Sequence, residues 1–181
     1  MNSKETIKEF FFNYPSKHWH FEQLMKESKL SRAQTNEWLK KLKKQGLIKR
    51  IKPKGKMPYY VARHDNPHYR NTKQVYAFTT LYKSGLLDYL CSLENVKTII
   101  LFGSFVRGDW YKDSDIDIFI YGESDLSLGK YLSKLKREIQ VFSGKDEKDL
   151  KKFGAPLLKN IIKGVTLKGD IPQEVIKHAI V

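Results

Sequence analysis

Two aspartates, Asp115 and Asp117, stand one residue apart at the head of an apolar run that includes Ile116, Ile118 and Ile120. In an extended strand side chains alternate, so both carboxylates fall on one face and the isoleucines on the other. Carboxylates this close repel each other unless cationic charge lies between them, and a pair of divalent ions is the group that fits. Upstream, Gly103 and Ser104 end an apolar run over residues 98–102 that reads as a buried strand. Glycine lets the backbone approach a ligand closely, and the serine beside it suits the N-cap of a short helix. Free amides at a helix start, with a hydroxyl next to them, form an anion site.

The elements that position these residues follow from the spacing: a strand to 102, a short helix, a loop over 108–114, and a second strand from 115. Gly103-Ser104-x-x-Arg107-Gly108, six intervening residues and Asp115-Ile116-Asp117 together resemble the signature of the DNA polymerase β-type nucleotidyltransferases. The likeness is to their minimal domains in archaea and bacteria, and it covers residues 72–170. Val106 stands where alanine is commoner. The resemblance implies that Asp115 and Asp117 hold Mg²⁺ or Mn²⁺. It also implies that Gly103 and Ser104 cradle the triphosphate of ATP or another nucleoside triphosphate. Arg107 would neutralise phosphate charge or brace its loop; an ion pair with Asp109 or Asp113 is the alternative. The family draws a third carboxylate from the next core strand, where this chain has Ile139-Gln140-Val141. Glu138, two residues earlier on the same strand face, is the stand-in, so the expected catalytic set is Asp115, Asp117 and Glu138. An amide at Gln140 binds Mg²⁺ weakly and cannot take a proton from an attacking hydroxyl.

Charge is unevenly distributed along the chain. Residues 1–64 hold 16 Lys and Arg against 5 Asp and Glu, a net of +11 out of the +14 of the whole. A basic third joined to a nearly neutral remainder is the footprint of a polyanion-binding module, with lysine enrichment for solubility the alternative. Helices are expected over residues 5–14, 21–29 and 30–42, the last capped by Ser31 and buried through Thr35, Leu39 and Leu42. Gly46 ends it. A basic turn over 49–58 and a returning strand over 59–61 follow, with His18-Trp19-His20 read as an edge segment and cap. Three helices and a β-hairpin resemble the winged helix-turn-helix. That likeness implies duplex DNA as a partner, with Arg32, Gln34, Asn36 and Lys40 of the third helix facing the major groove. Lys52, Lys54 and Lys56 of the wing would lie on phosphates. A winged helix can also serve as a protein-binding module.

Residues 64–71 read as a polar connector, and a helical stripe through Val75, Phe78 and Tyr82 resumes at Leu86, Leu87 and Leu90. Further on, a helix is expected over 126–137, a strand over 138–142, broken helix over 146–163 and a short strand or turn over 165–169. Cys91, the single cysteine, falls in an apolar helical segment and reads as buried and inert. No apolar run spans a bilayer and no leader is evident, so a cytoplasmic protein without membrane contact is expected. The fold class is α+β: a winged helix over 1–64, linker and packing helices over 65–95, a small mixed sheet flanked by helices over 96–170, and a tail over 171–181. Two functions follow. One is transfer of a nucleotide, AMP from ATP, to a hydroxyl of a protein or RNA, with a HEPN-type partner as acceptor by family likeness and an antitoxin or regulator role. The other is a winged-helix transcriptional regulator whose weakened nucleotidyltransferase domain senses nucleotide or binds a partner.

Overall fold

Ile7 and Phe11, one helical turn apart, are both buried on α1 (Ser3–Asn13). The computed structural model describes residues 3–180, with side chains from Ile7 onward. The next elements are α2 (Phe21–Ser28), α3 (Arg32–Lys44), β1 (Ile48–Ile51) and β2 (Tyr59–Ala62). Helix α3 starts in a capping box: the Gln34 amide donates to the Ser31 hydroxyl oxygen, and the Gln34 side chain accepts from the Ser31 amide. Thr35, Leu39 and Leu42 form its buried stripe, and Gly46 at φ +70 turns the chain into β1. Trp19, fully buried, exchanges two 2.8 Å backbone bonds with Tyr60. The edge segment is therefore present, but His20 makes no side-chain cap to α2; its Nδ1 lies 3.0 Å from the Pro58 carbonyl.

The expected connector is largely helix. Asn66 accepts from the His68 amide and Pro67 opens α4 (Pro67–Ser84), a side-chain cap followed by a first-turn proline. The chain divides into two compact units, Met1–Lys73 and Gln74–Val181, so the division falls inside this helix and not at residue 64. The buried face of α4 carries Tyr69, Lys73, Ala77 and Leu81, whereas Val75 and Tyr82 are exposed. The lysine on the buried face hid the true stripe, since a sequence reading gives it to the surface.

The second unit continues with α5 (Leu86–Cys91), β3 (Val96–Phe102), α6 (Gly103–Arg107), β4 (Ile116–Gly122), α7 (Gly129–Leu135) and β5 (Ile139–Gly144). After them come α8 (Glu147–Leu150), α9 (Ala155–Ile162), β6 (Val165–Lys168) and α10 (Gln173–Ile180). The sheet order is β5-β4-β3-β6, with β4 parallel to β5 and the other pairs antiparallel, so the expected small mixed sheet is present. Cys91 is exposed, against expectation, because α5 turns Leu86 and Leu90 inward and leaves the thiol at its end. The expected tail is the core helix α10: Val175 and Ala179 pack with Leu158 and Ile161 of α9 against Ile100, Phe102 and Phe119 of the sheet. Among the described residues no helix is long and apolar enough to cross a membrane.

Placing α10 in the core has a stability consequence. Val175→Asp would bury an unpaired charge and should destabilise the protein by on the order of 3 kcal/mol. Ile180→Asp, on a side chain 77% exposed, should change stability by about 0.5 kcal/mol or less. Urea midpoints of the two variants check this; equal effects would mean that the last helix does not pack.

Candidate active site

The site is built where β3 hands over to α6. Phe102 is the register partner of Asp117 on β4, so Gly103, the next residue, lies against the Asp117 carboxylate. A Cβ on Gly103 would stand 1.8 Å from Asp117 Oδ2, and Gly103 has φ +78. Both facts require glycine there. Ser104 is the second residue of α6 and not its cap; Phe102 occupies the cap position without a side-chain bond. The hydroxyl therefore stands inside the first turn, next to the glycine that admits the carboxylate.

Asp117 shares its face of β4 with Phe119, which is fully buried under α9 and α10, while Ile116, Ile118 and Ile120 fill the opposite face. Asp117 thus marks the point where an apolar sheet face gives way to acid. The expected period-two arrangement of Asp115 and Asp117 is present, with the strand starting at Ile116. Both acids are half-buried, and neither carboxylate accepts a hydrogen bond or meets a cation at ion-pair distance among the described residues. Burial holds the Asp117 carboxyl above its ordinary value, the charge of Asp115 raises it further, and Arg107 offsets part of the effect. Arg107 itself pairs with Asp109, Nε to Oδ2 at 3.3 Å, which is the ion-pair alternative.

The third position is a glutamine in space as well as in sequence. Gln140 on β5 is the parallel register partner of Asp117. Glu138 precedes that strand; its carbonyl accepts from the Ile116 amide at 2.9 Å, and its side chain is exposed. Glu138 and Asp115 line one cleft of about 340 Å³. No group of three His, Cys, Asp or Glu side chains placed to share a metal ion occurs among the described residues, so Glu138 is not gathered with the aspartate pair. It sits one residue ahead of β5, where its carbonyl already pairs with β4. The two aspartates by themselves offer hard, anionic oxygen donors, which is the chemistry a divalent cation takes.

Arg137 had no role in the sequence reading, and the structure places it beside this site. Its Nη1 donates to the Tyr111 and Ser114 carbonyls at 2.9 and 2.7 Å, and its guanidinium lies over the rings of Trp110 and Phe105. A lone basic residue between a helix and a strand carries no signal that would single it out.

In the first unit, all seven residues expected to face DNA are exposed. Arg32 is held by Glu22 at 2.5 Å, and the Gln34 side chain is engaged in the α3 cap. Asn36 and Lys40 extend from α3, and Lys52, Lys54 and Lys56 crowd the turn between β1 and β2.

The nucleotidyltransferase domain family model matches residues 83–168, the stretch that carries the whole of this site. A relative from Methanocaldococcus jannaschii, provisionally named a protein adenylyltransferase, is 60% identical over 30 residues. Those residues are 17% of this chain and 30% of that protein, so the chain spans less than a third of the relative's length. Two solved structures are similar: a toxin-antitoxin with AMP-PNP, at 20% identity and TM-score 0.34, and a mutant of the toxin-antitoxin MntA-HpeT, at 17% and 0.33. Each similarity covers 59% of this chain and 81% or 80% of the other. The part of the chain that matches the nucleotidyltransferase family model thus lies within the second unit.

The state of Asp117 sets a pH dependence. A carboxyl whose pKa is raised on folding binds its proton more tightly in the folded state. Its contribution to stability is full below the ordinary carboxylate value and is lost as pH rises through the raised one. With divalent ions chelated, Asp117→Asn should therefore melt above the parent at about pH 7 and alongside it near pH 3. Thermal unfolding across that range decides it; a parent that melts above the variant at neutral pH would contradict an unpartnered acid.

Proposed function

We propose that the second unit binds a nucleoside triphosphate with Mg²⁺ or Mn²⁺ and transfers its nucleotide, AMP in the case of ATP, to a hydroxyl of a protein. One observation carries the reading: Asp115 and Asp117 stand side by side with no ion pair among the described residues, and Asp117 lies against a glycine whose missing side chain leaves room for nothing bulkier. The family match supports the reaction class, and the name of the archaeal relative supports protein as the acceptor. Divalent ions held by Asp115 and Asp117 would supply charge neutralisation at the phosphates and acidify the acceptor hydroxyl. Gly103 and Ser104 present backbone and hydroxyl to the triphosphate, and Arg107 adds positive charge close to Asp117. The acceptor oxygen attacks the α-phosphorus, the bond to the bridging oxygen of the β-phosphate breaks, and pyrophosphate leaves with that electron pair. The acceptor hydroxyl, acidified by the ion, gives its proton to water unless a carboxylate beside the aspartate pair takes it.

Gln140 sits at the register position beside Asp117 and cannot take that proton, so transfer is expected to be slow. Loss of a general base costs about 10²–10⁴-fold in rate. Transfer of label from α-labelled ATP to protein should vanish in Asp117→Asn and rise in Gln140→Asp. If Glu138 supplied the base instead, Glu138→Gln would abolish transfer and Gln140→Asp would do little. A parent that labels no protein in a lysate of its source would overturn the enzyme reading in favour of a nucleotide-responsive regulator.

A second reading concerns the first unit and rests on the exposed Lys52, Lys54 and Lys56 of its hairpin turn. Three helices and this turn support a winged helix on duplex DNA, the lysines meeting phosphates and Asn36 the bases. With Arg32 and Gln34 engaged elsewhere, most of the affinity is assigned to phosphate contacts. Replacing the three lysines by alanine in the full chain should weaken binding to all sequences and flatten its salt dependence by about 1 per lost contact. Salt-independent or undetectable binding would leave the hairpin as a protein-binding surface.

A further inference from the structure

The Tyr111–Ser114 turn leads directly into Asp115, and two bonds close it from within. The Ser114 amide donates to the Tyr111 carbonyl at 3.2 Å, and the Tyr111 amide donates to the Ser114 hydroxyl at 2.9 Å. Arg137 ties this turn to the sheet from just beyond α7, where it immediately precedes Glu138 and β5. One nitrogen, Nη1, bridges the two carbonyls that mark the ends of the turn. Its flat guanidinium stands 4.6 Å from the centre of the Trp110 ring and 5.0 Å from that of Phe105. Trp110 and Phe105 are themselves buried, so the surface on which the guanidinium rests is rigid.

We propose that Arg137 is a positioning residue for the divalent-ion pair of aspartates: it clasps the turn that precedes Asp115 and so fixes that carboxylate relative to Asp117. The inference rests on the nucleotidyltransferase reading. Asp117 is held inside β4 by its neighbours in the sheet, but Asp115 lies one residue ahead of the strand and depends on the loop for its place. The clasp joins that loop to the start of β5, and β5 is the parallel partner of β4. Both ends of the connection therefore refer to the same sheet. Burial works against the guanidinium cation there, while Tyr76, Asp113 and Asp115 favour it. Lysine would keep the charge but not the planar donor, and could not lie flat on Trp110 while bonding both carbonyls.

Manganese binding, followed by the loss of the free-ion electron paramagnetic resonance signal, tests this without any transfer reaction. Mn²⁺ is titrated into the full-length protein with a non-hydrolysable ATP analogue present. Partners one step behind a metal ligand typically alter affinity by about 10–100-fold. Arg137→Met should raise the half-saturating Mn²⁺ concentration within that range, and Arg137→Lys by a smaller factor. Ser114→Ala, which loosens the turn without touching the guanidinium, should shift it in the same direction. Thermal unfolding identifies any variant that does not fold, and the remaining variants then carry the test. A parent that binds Mn²⁺ with Asp117-dependence, alongside folded Arg137 variants of equal affinity, would overturn the clasp alone. A parent that binds no Mn²⁺ would overturn the metal-site reading and the clasp with it.

Discussion

The repulsion between Asp115 and Asp117 is the constraint around which the second unit is arranged. Two half-buried carboxylates with no cation beside them oppose folding, and a fold keeps such an arrangement only when the surrounding structure imposes it. Here it is imposed from three sides. The β3–β4 register sets Phe102 beside Asp117, and Gly103 then lies hard against the carboxylate. Phe119, two residues along β4, anchors the strand in the apolar layer under α9 and α10. The loop that delivers Asp115 is tied by Arg137 to the start of β5, the strand beside β4. The stability lost at the acids is offset by the layer of Ile100, Phe119, Leu158, Ile161 and Val175, all fully buried.

That arrangement explains why a glutamine at position 140 matters. The parallel pairing of β4 and β5 fixes residue 140 next to Asp117 whatever its identity. A carboxylate there would add a third negative charge to an already strained pair, and an amide does not. The site thus combines two adjacent carboxylates with a neutral amide at the neighbouring register position. In physical terms this favours folding of the ion-free protein over proton transfer in the site.

Much of the second unit was legible because its signals are local. The apolar run ending at Gly103 and the alternation from Asp115 each specify an element within a few residues, and both elements formed. The capping box of Ser31 and Gln34 was half-read, since the serine gave the helix start but the glutamine was assigned to DNA. What escaped the sequence depends on contacts between distant residues. Lys73 disguised the buried face of α4; Val175 and Ala179 make α10 a core helix only because α9 lies beneath it. Arg137 acquires its place from the carbonyls of a loop more than twenty residues earlier. Glu138 carried the right chemistry at the right spacing, and it lies one residue ahead of β5 in a cleft shared with Asp115.

The most direct test of the account is where a divalent ion binds. Crystals grown with Mn²⁺ and a non-hydrolysable ATP analogue, measured at the manganese absorption edge, would locate it by anomalous scattering. The account predicts density coordinated by both Asp115 and Asp117, with the triphosphate over Gly103 and Ser104 and the Arg137 clasp intact. Manganese bound elsewhere, or the two carboxylates left facing each other without it, would contradict it.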